Sequence, residues 1–145
     1  MSLKDMLDSL PIPIVQAPMA GSSPPAMTRA VCEAGGLGFL ALAPTPPDEI
    51  EAVVAAFQEQ TSAPFGVNLQ MAPDADPDPA EVAAALERLR PWYEAVGLEP
   101  PTPPNRYSFD FKAQLAALTR AAPPVASFTF GVLTRGEVEA LKDAG

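Results

Sequence analysis

The sequence predicts an α/β fold with parallel strands, and three observations carry that expectation. The stretch Pro13-Ile14-Val15-Gln16-Ala17-Pro18-Met19-Ala20-Gly21 is a short apolar run that passes directly into a proline and glycine turn. A second apolar run, Gly35-Gly36-Leu37-Gly38-Phe39-Leu40, is entered through glycines. A third, Pro64-Phe65-Gly66-Val67-Asn68-Leu69, alternates with period two, so Gly66, Asn68 and Gln70 share one face. Strand and helix in alternation, with small or polar residues at the strand ends, is how a parallel α/β protein builds a ligand site.

Each element has its own local warrant. Residues 13–19 read as strand one. Ser22 or Ser23 caps the helix that follows, with Pro24 or Pro25 in its first turn, where a missing N–H costs nothing. Met27, Ala30, Val31 and Ala34 repeat at helical spacing and Gly35 ends the helix. Leu37 to Ala43 is strand two. Thr45, Pro46, Pro47 and Asp48 open the next helix, whose stripe is Ile50, Val53, Val54 and Phe57. Strand three is Phe65 to Met71, followed by an acidic, proline-rich loop from Ala72 to Pro77.

Asp78-Pro79-Ala80-Glu81 carries the cap, first-turn proline and third-position Glu of a helix start. Val82, Ala85, Leu86 and Leu89 take that helix to Pro91 or beyond. The four prolines between Gly97 and Tyr107 rule out regular structure there. A helix then spans about Phe109 to Ala121, with Phe111, Leu115 and Leu118 inward. Strand four is Val125 to Phe130, and the box Thr134-Arg135-Gly136-Glu137 opens a last helix through Val138, Leu141 and Ala144. Right-handed crossovers put these four parallel strands in the order 1-2-3-4.

A chain of 145 residues is long enough to bury a core. A complete eight-unit β/α barrel needs about 250 residues, so this is a smaller α/β fold or a piece of a barrel. Nineteen prolines sit at helix starts and loops, which stiffens connections in a folded chain. The net charge is −9, with nine Lys and Arg scattered singly. No basic face is available for a phosphate backbone or an anionic membrane, so neither nucleic acid nor membrane is expected as a partner. Residues 1–7 lack the apolar run of a signal peptide, and the chain reads as cytoplasmic. The one cysteine, Cys32, falls in a helix and reads as a small packed residue.

The absence of histidine removes Ser-His, Cys-His and His-based metal sites from this chain. Asp74, Asp76 and Asp78 form a solvated acidic patch that lacks the Gly and terminal Glu of an EF-hand loop, so no metal site is expected. The glycines at 35, 36 and 38 end a helix and begin a strand, the reverse of a dinucleotide-binding turn. In strand three the helix-facing side must be apolar, which sends Gly66, Asn68 and Gln70 inward. Asn68 either meets a ligand or ties two strand-to-helix loops together. Ser127 and Thr129 in strand four, and Gln16 in strand one, are further inward candidates. Trp92 and Tyr93 read as packing or lid residues.

The motifs PIVQAPMAG, EAGGLGFL and PFGVNL resemble the opening of nitronate monooxygenases, FMN-dependent enzymes with a (β/α)8 barrel. The resemblance implies that residues 1–145 are the N-terminal half of a flavin-binding barrel, about four β/α units of eight, with a proline-rich insertion near 97–107. It implies a full-length enzyme that oxidises alkyl nitronates with O2. FMN would contact Ala17, Pro18 and Met19 in the turn after strand one and Asn68 of the GVNL motif. No catalytic residue is expected in this chain, because the family's histidine base would lie beyond residue 145. A flavin-dependent enoyl-acyl-carrier-protein reductase shares the opening pattern and is the alternative enzyme. A non-catalytic half-barrel that self-associates through its exposed strand edges is the alternative of another class.

Overall fold

In a computed structural model of the chain, three parallel strands lie side by side in the order β1 (Gly38–Ala41), β2 (Phe65–Gln70) and β3 (Val125–Thr129). Residues 3–72, 76–104 and 106–145 are described. They divide into two compact units, Met1–Ala72 with Phe109–Gly145, and Pro73–Ser108. Register pairs Phe39 with Gly66 and Ala41 with Asn68 across β1 and β2, and Asn68 with Ser127 across β2 and β3.

The first unit owes its stability to one apolar layer. Leu40 of β1 and Phe65, Val67 and Leu69 of β2 pack against Ile50, Val54 and Phe57 of α3 (Ile50–Gln58) and Ala117 and Leu118 of α5 (Phe111–Ala121). All are buried, and the Phe57 and Phe65 rings meet at 4.7 Å between centroids. The alternation read from residues 65–70 therefore holds: the odd positions face helices. The opposite face carries a smaller cluster of Leu37, Phe39 and Val125, closed by Met6 of α1 (Leu3–Asp8) with Leu7 and Leu10 packed against it.

Among the described residues, three strands form where the pattern predicts four. Residues 13–19 make one parallel bridge, Val15 to Leu37, and no strand. Gln16 N–H donates to Leu37 O at 2.9 Å, and Leu37 N–H donates to Ile14 O at 2.9 Å. Beyond that point the Gln16 side chain, through Oε1, accepts the Phe39 N–H at 3.1 Å and takes the place of a backbone rung. Pro13 and Pro18 supply no N–H on either side, which limits the ladder further.

Other local expectations shift in instructive ways. Helix α1 is unheralded in the sequence pattern. Helix α2 (Pro25–Glu33) is preceded by Pro24 with no side-chain cap, because the Ser23 hydroxyl turns back onto Met19. Helix α3 begins at Ile50, after a turn closed by Glu49 N–H on Pro46 O at 3.0 Å. Strand β1 ends at Ala41, although Leu42 N–H still reaches Asn68 O at 3.0 Å. Asp110 caps α5 by accepting the Ala113 N–H at 3.0 Å. The capping box of α6 (Arg135–Ala144) forms as the sequence predicts, with Thr134 N–H on Glu137 Oε2 at 2.7 Å.

The second unit is built on α4 (Pro79–Ala95), capped by Asp78 accepting the Ala80 N–H at 2.8 Å. The helix continues through Pro91, at the cost of one backbone hydrogen bond. Trp92 on this helix is 73% exposed. Glu87 pairs with Arg90 at 2.6 Å, and that hydrogen bond holds the Glu87 carboxyl below its ordinary pKa. Residues 98–104 have no helix or strand, as their prolines dictate. Of the acidic loop, Asp74 lies outside the described residues. No helix among the described residues is long and apolar enough to cross a membrane.

Candidate functional site

The inner sheet face changes character along the strands. At its N-terminal end Phe39, Gly66 and Val125 lie in one row across β1, β2 and β3, and α1 covers them. A Cβ on Gly66 would lie 2.2 Å from Phe39 Cε1, so the glycine there makes room for the phenylalanine ring. The next row is Ala41, Asn68 and Ser127, and beyond it Gln70 stands beside Thr129. Apolar packing gives way to neutral amides and hydroxyls at the C-terminal end, where parallel sheets present ligand-contacting groups.

Asn68 is the centre of that end. Its side chain faces away from the helix layer and is 8% exposed. Its Nδ2 donates to Ser127 Oγ at 2.9 Å and to Thr129 Oγ1 at 3.2 Å, and Thr129 Oγ1 donates back to Asn68 Oδ1 at 3.3 Å. Asn68 thus cross-ties β2 to β3, and one lone pair of its carbonyl oxygen is left over. Ser127 and Thr129 are inward, as the sequence predicts. The chain leaves β3 through Phe130, a non-glycine residue at φ 67°, and then Gly131 packs on Met71.

The turn after residue 16 is organised differently. Gln16 is buried and donates to the Ala17 carbonyl while accepting from Phe39. Both backbone groups of Met19 are taken by Ser23: its N–H donates to Ser23 Oγ at 2.8 Å, and its carbonyl accepts the Ser23 N–H at 2.8 Å. That leaves the Met19 side chain, 46% exposed, as its contribution to any ligand. Ala17 is exposed and Pro18 half-buried, and the Ala17 N–H has no hydrogen-bond acceptor among the described residues. Strand β1 lies between this turn and Asn68, so the four residues singled out in the sequence form two separate groups.

Among the described residues, no ionisable side chain hydrogen-bonds to either group. Cys32 is buried behind β1, where its Sγ accepts the Gly38 N–H at 3.3 Å, and burial pushes its thiol pKa up. It is a packed, unreactive thiol. No cluster of acidic, Cys or His residues fit for a metal ion exists among the described residues. Sequence reasoning missed Gln114 of α5, whose Nε2 reaches the carbonyls of Ala43 and Thr45 in the loop after β1. Its position one residue before Leu115 on the inward side is the signal that was there to find.

A three-stranded parallel α/β sheet, closed by apolar packing at one end and lined by neutral amides and hydroxyls at the other, is the architecture of a partial, TIM-barrel-like fold. The family model described as nitronate monooxygenase matches residues 2–145, and the chain belongs to that family. It is similar to the nitronate monooxygenase of Pseudomonas aeruginosa, 36% identical over 136 residues, covering 92% of this chain and 39% of the relative. A probable nitronate monooxygenase of Staphylococcus saprophyticus is 33% identical over 131 residues, covering 90% of this chain and 37% of the relative. The chain thus spans less than two-fifths of the length of these curated relatives. Among solved structures, a nitroalkane oxidase from Streptomyces ansochromogenes superposes with a TM-score of 0.76 at 38% identity, covering 97% of this chain and 40% of that one. An M276A mutant of FabK from Thermotoga maritima shares the fold, with a TM-score of 0.60 at 22% identity.

Proposed function

We propose that this chain is the N-terminal part of an FMN-dependent (β/α)8 enzyme that oxidises alkyl nitronates with O2, and that it forms one wall of the flavin site. The observation that carries the reading is Asn68: a nearly buried, neutral amide on the inner face at the C-terminal end of β2, with one acceptor position spare. Membership of the nitronate monooxygenase family supports it, as does the superposition on a nitroalkane oxidase.

The residues present fit a flat, neutral ring. Asn68 offers an acceptor for a ring N–H. The Ala17 N–H, which meets no acceptor among the described residues, offers a donor, and Pro18 and Met19 offer apolar surface beside it. Among the described residues, the groups bonded to this wall are neutral amides, hydroxyls and backbone groups. Bound FMN would supply the redox chemistry, taking electrons from the nitronate and passing them to O2. This chain's residues would bind and orient the ring and hold water away from its inner side. On this reading the histidine base that the family resemblance implies lies beyond residue 145, together with much of the phosphate site, since the chain itself has no histidine.

The setting that suits this reading is the cytoplasm. The free side of β3 favours association of the isolated segment with itself. An open groove of about 1100 Å³ runs there between β3 and α6, lined by Phe128, Val132, Leu133, Val138 and Leu141 among others. The test is to titrate FMN by fluorescence quenching and follow oxygen uptake with an alkyl nitronate. The chain alone should bind FMN weakly and show no uptake, whereas the full-length protein, or the chain supplied with a histidine-bearing second half, should do both. Tight stoichiometric FMN binding with turnover by the 145-residue chain overturns the reading, as does a full-length protein without nitronate-dependent uptake.

A further inference from the structure

We infer that Gln16 is a positioning residue: its side chain takes the β1 hydrogen bond that belongs to its own main chain, and so holds the 16–17 peptide off the sheet for a bound ring to meet. The identity of the ring rests on the flavin reading, and the release of the peptide rests on geometry alone.

A parallel ladder has a fixed succession of rungs. Leu37 N–H donates to Ile14 O and Gln16 N–H donates to Leu37 O, both at 2.9 Å. In this register the next rung is Phe39 N–H to the main-chain carbonyl of Gln16. The Phe39 N–H goes instead to Gln16 Oε1 at 3.1 Å, and the Gln16 carbonyl accepts nothing among the described residues. The other end of the same carboxamide donates through Nε2 to the Ala17 carbonyl. One partner is a backbone N–H, which can only donate, and the other a backbone carbonyl, which can only accept. Those two partners fix the orientation of the amide, and the side chain is buried.

The sheet does not need this side chain. The main-chain carbonyl would fill the same rung, whereas a long side chain gives up rotamer freedom to do so. What the side chain changes is the path of the main chain, which leaves β1 one rung early. Ser23 holds the far end of the turn through both backbone groups of Met19. Among residues 16–19, the Gln16 and Met19 N–H groups are therefore spent and Pro18 has none. The N–H of exposed Ala17 is left without an acceptor among the described residues. Two side chains thus bracket a turn around one open donor, which suits a ring edge that carries an acceptor.

The experiment uses the full-length protein carrying this segment, with Gln16→Met and Gln16→Glu variants. Methionine matches glutamine in length but offers Phe39 no oxygen, so the main-chain carbonyl of residue 16 should take up the rung. Exchange at the Phe39 N–H, followed by NMR, should therefore stay slow in Gln16→Met. FMN affinity, measured by fluorescence quenching, should fall about tenfold in that variant, the scale of one hydrogen bond. The absorption bands of the flavin that still binds should shift as the Ala17 donor is withdrawn. Gln16→Glu keeps an oxygen for the Phe39 N–H and should lose less affinity than Gln16→Met. Equal FMN affinity in Gln16→Met, or no advantage of Gln16→Glu over it, overturns the inference. Fast Phe39 exchange in Gln16→Met, or failure of that variant to fold, does the same, because the side chain is then only a structural prop. A full-length protein that takes up no FMN overturns the flavin reading instead. Phe39 exchange alone then decides whether Gln16 holds the peptide off the sheet: slow exchange in Gln16→Met upholds it and fast exchange sinks it.

Discussion

The Gln114 side-chain amide donates to the Thr45 carbonyl at 2.7 Å, tying the first turn of α5 to the loop that follows β1. The same nitrogen reaches the Ala43 carbonyl at 3.1 Å, and the side chain is 2% exposed. This loop carries Pro44, Pro46 and Pro47, which have no N–H to offer those carbonyls. A long side chain from a neighbouring helix satisfies them instead. Leu42, at the start of the loop, donates its N–H to the backbone carbonyl of Asn68 at 3.0 Å, which joins the same loop to β2.

Replacing Gln114 with Leu should therefore destabilise the first unit by about 1–3 kcal/mol, the cost of leaving part-buried carbonyls unpaired. Urea unfolding measures the loss. Hydrogen exchange at the Thr45 N–H, which bonds Leu42 O at 3.0 Å, should quicken because the loop is released. An unchanged unfolding midpoint would mean that water takes over both carbonyls without penalty.

Gly66 and Phe39 make the second prediction. A methyl group at position 66 would lie 2.2 Å from Phe39 Cε1 and 2.4 Å from Cδ1, so the ring must move. Gly66→Ala should cost about 1–3 kcal/mol through overpacking. Phe39→Leu in the same chain should recover part of that loss, and a double-mutant cycle should give a coupling well outside error. Additive effects would place the strain somewhere other than this contact.

The extent to which the fold is legible in the sequence follows from which signals are local. Phe65, Val67 and Leu69 alternate with Gly66, Asn68 and Gln70, and period-two patterning fixes their faces without knowledge of the rest of the chain. The Thr134 capping box is likewise complete within four residues. Ile14 and Val15 look like strand for the same local reason. Whether a ladder forms depends on Gln16 meeting Phe39, which no local pattern announces. Ser23 resembles a helix cap until Met19 folds back to meet it. Helix α1, six residues long, is too short to show a period. The candidate site divides the same way: the inward facing of Asn68 is local, whereas its hydroxyl partners come from a strand 59 and 61 residues away.

Phe130 gives the third prediction. It sits at φ 67° with its side chain 77% exposed, so it bears left-handed strain without much burial in return. A left-handed backbone costs an L-residue roughly 1–2 kcal/mol that glycine does not incur. Phe130→Gly should raise stability by up to about 1 kcal/mol, after the greater flexibility of the unfolded glycine chain is subtracted. Thermal unfolding reads the sign. If the variant is less stable, the ring contributes packing that its exposure conceals. If it is more stable and the full-length protein loses FMN affinity, the strain is retained for the site.

The last prediction concerns acid stability at the start of α6. The Glu137 carboxylate accepts from the Thr134 hydroxyl and from the Thr134 N–H, both at 2.7 Å. Hydrogen bonding from the Thr134 side chain, and then from its backbone, lowers the Glu137 pKa below its ordinary value of 4.5, and Lys112 adds a smaller attraction. A carboxylate whose folded pKa is depressed contributes stability that is fully present above its unfolded pKa. That contribution is lost as the pH falls through the lower, folded value. Glu137→Gln keeps an acceptor for Thr134 but removes the titration. Thermal midpoints measured between about pH 7 and about pH 3 should therefore fall less steeply in Glu137→Gln than in the unaltered chain. The difference should be confined to the acid side of the ordinary carboxylate range. Glu137 is half-buried and its carboxylate lies at the surface, so added salt should shrink the Lys112 share and leave the hydrogen-bonded share in place. Parallel curves for the two proteins across that range would show that the box titrates alike in the folded and unfolded chain.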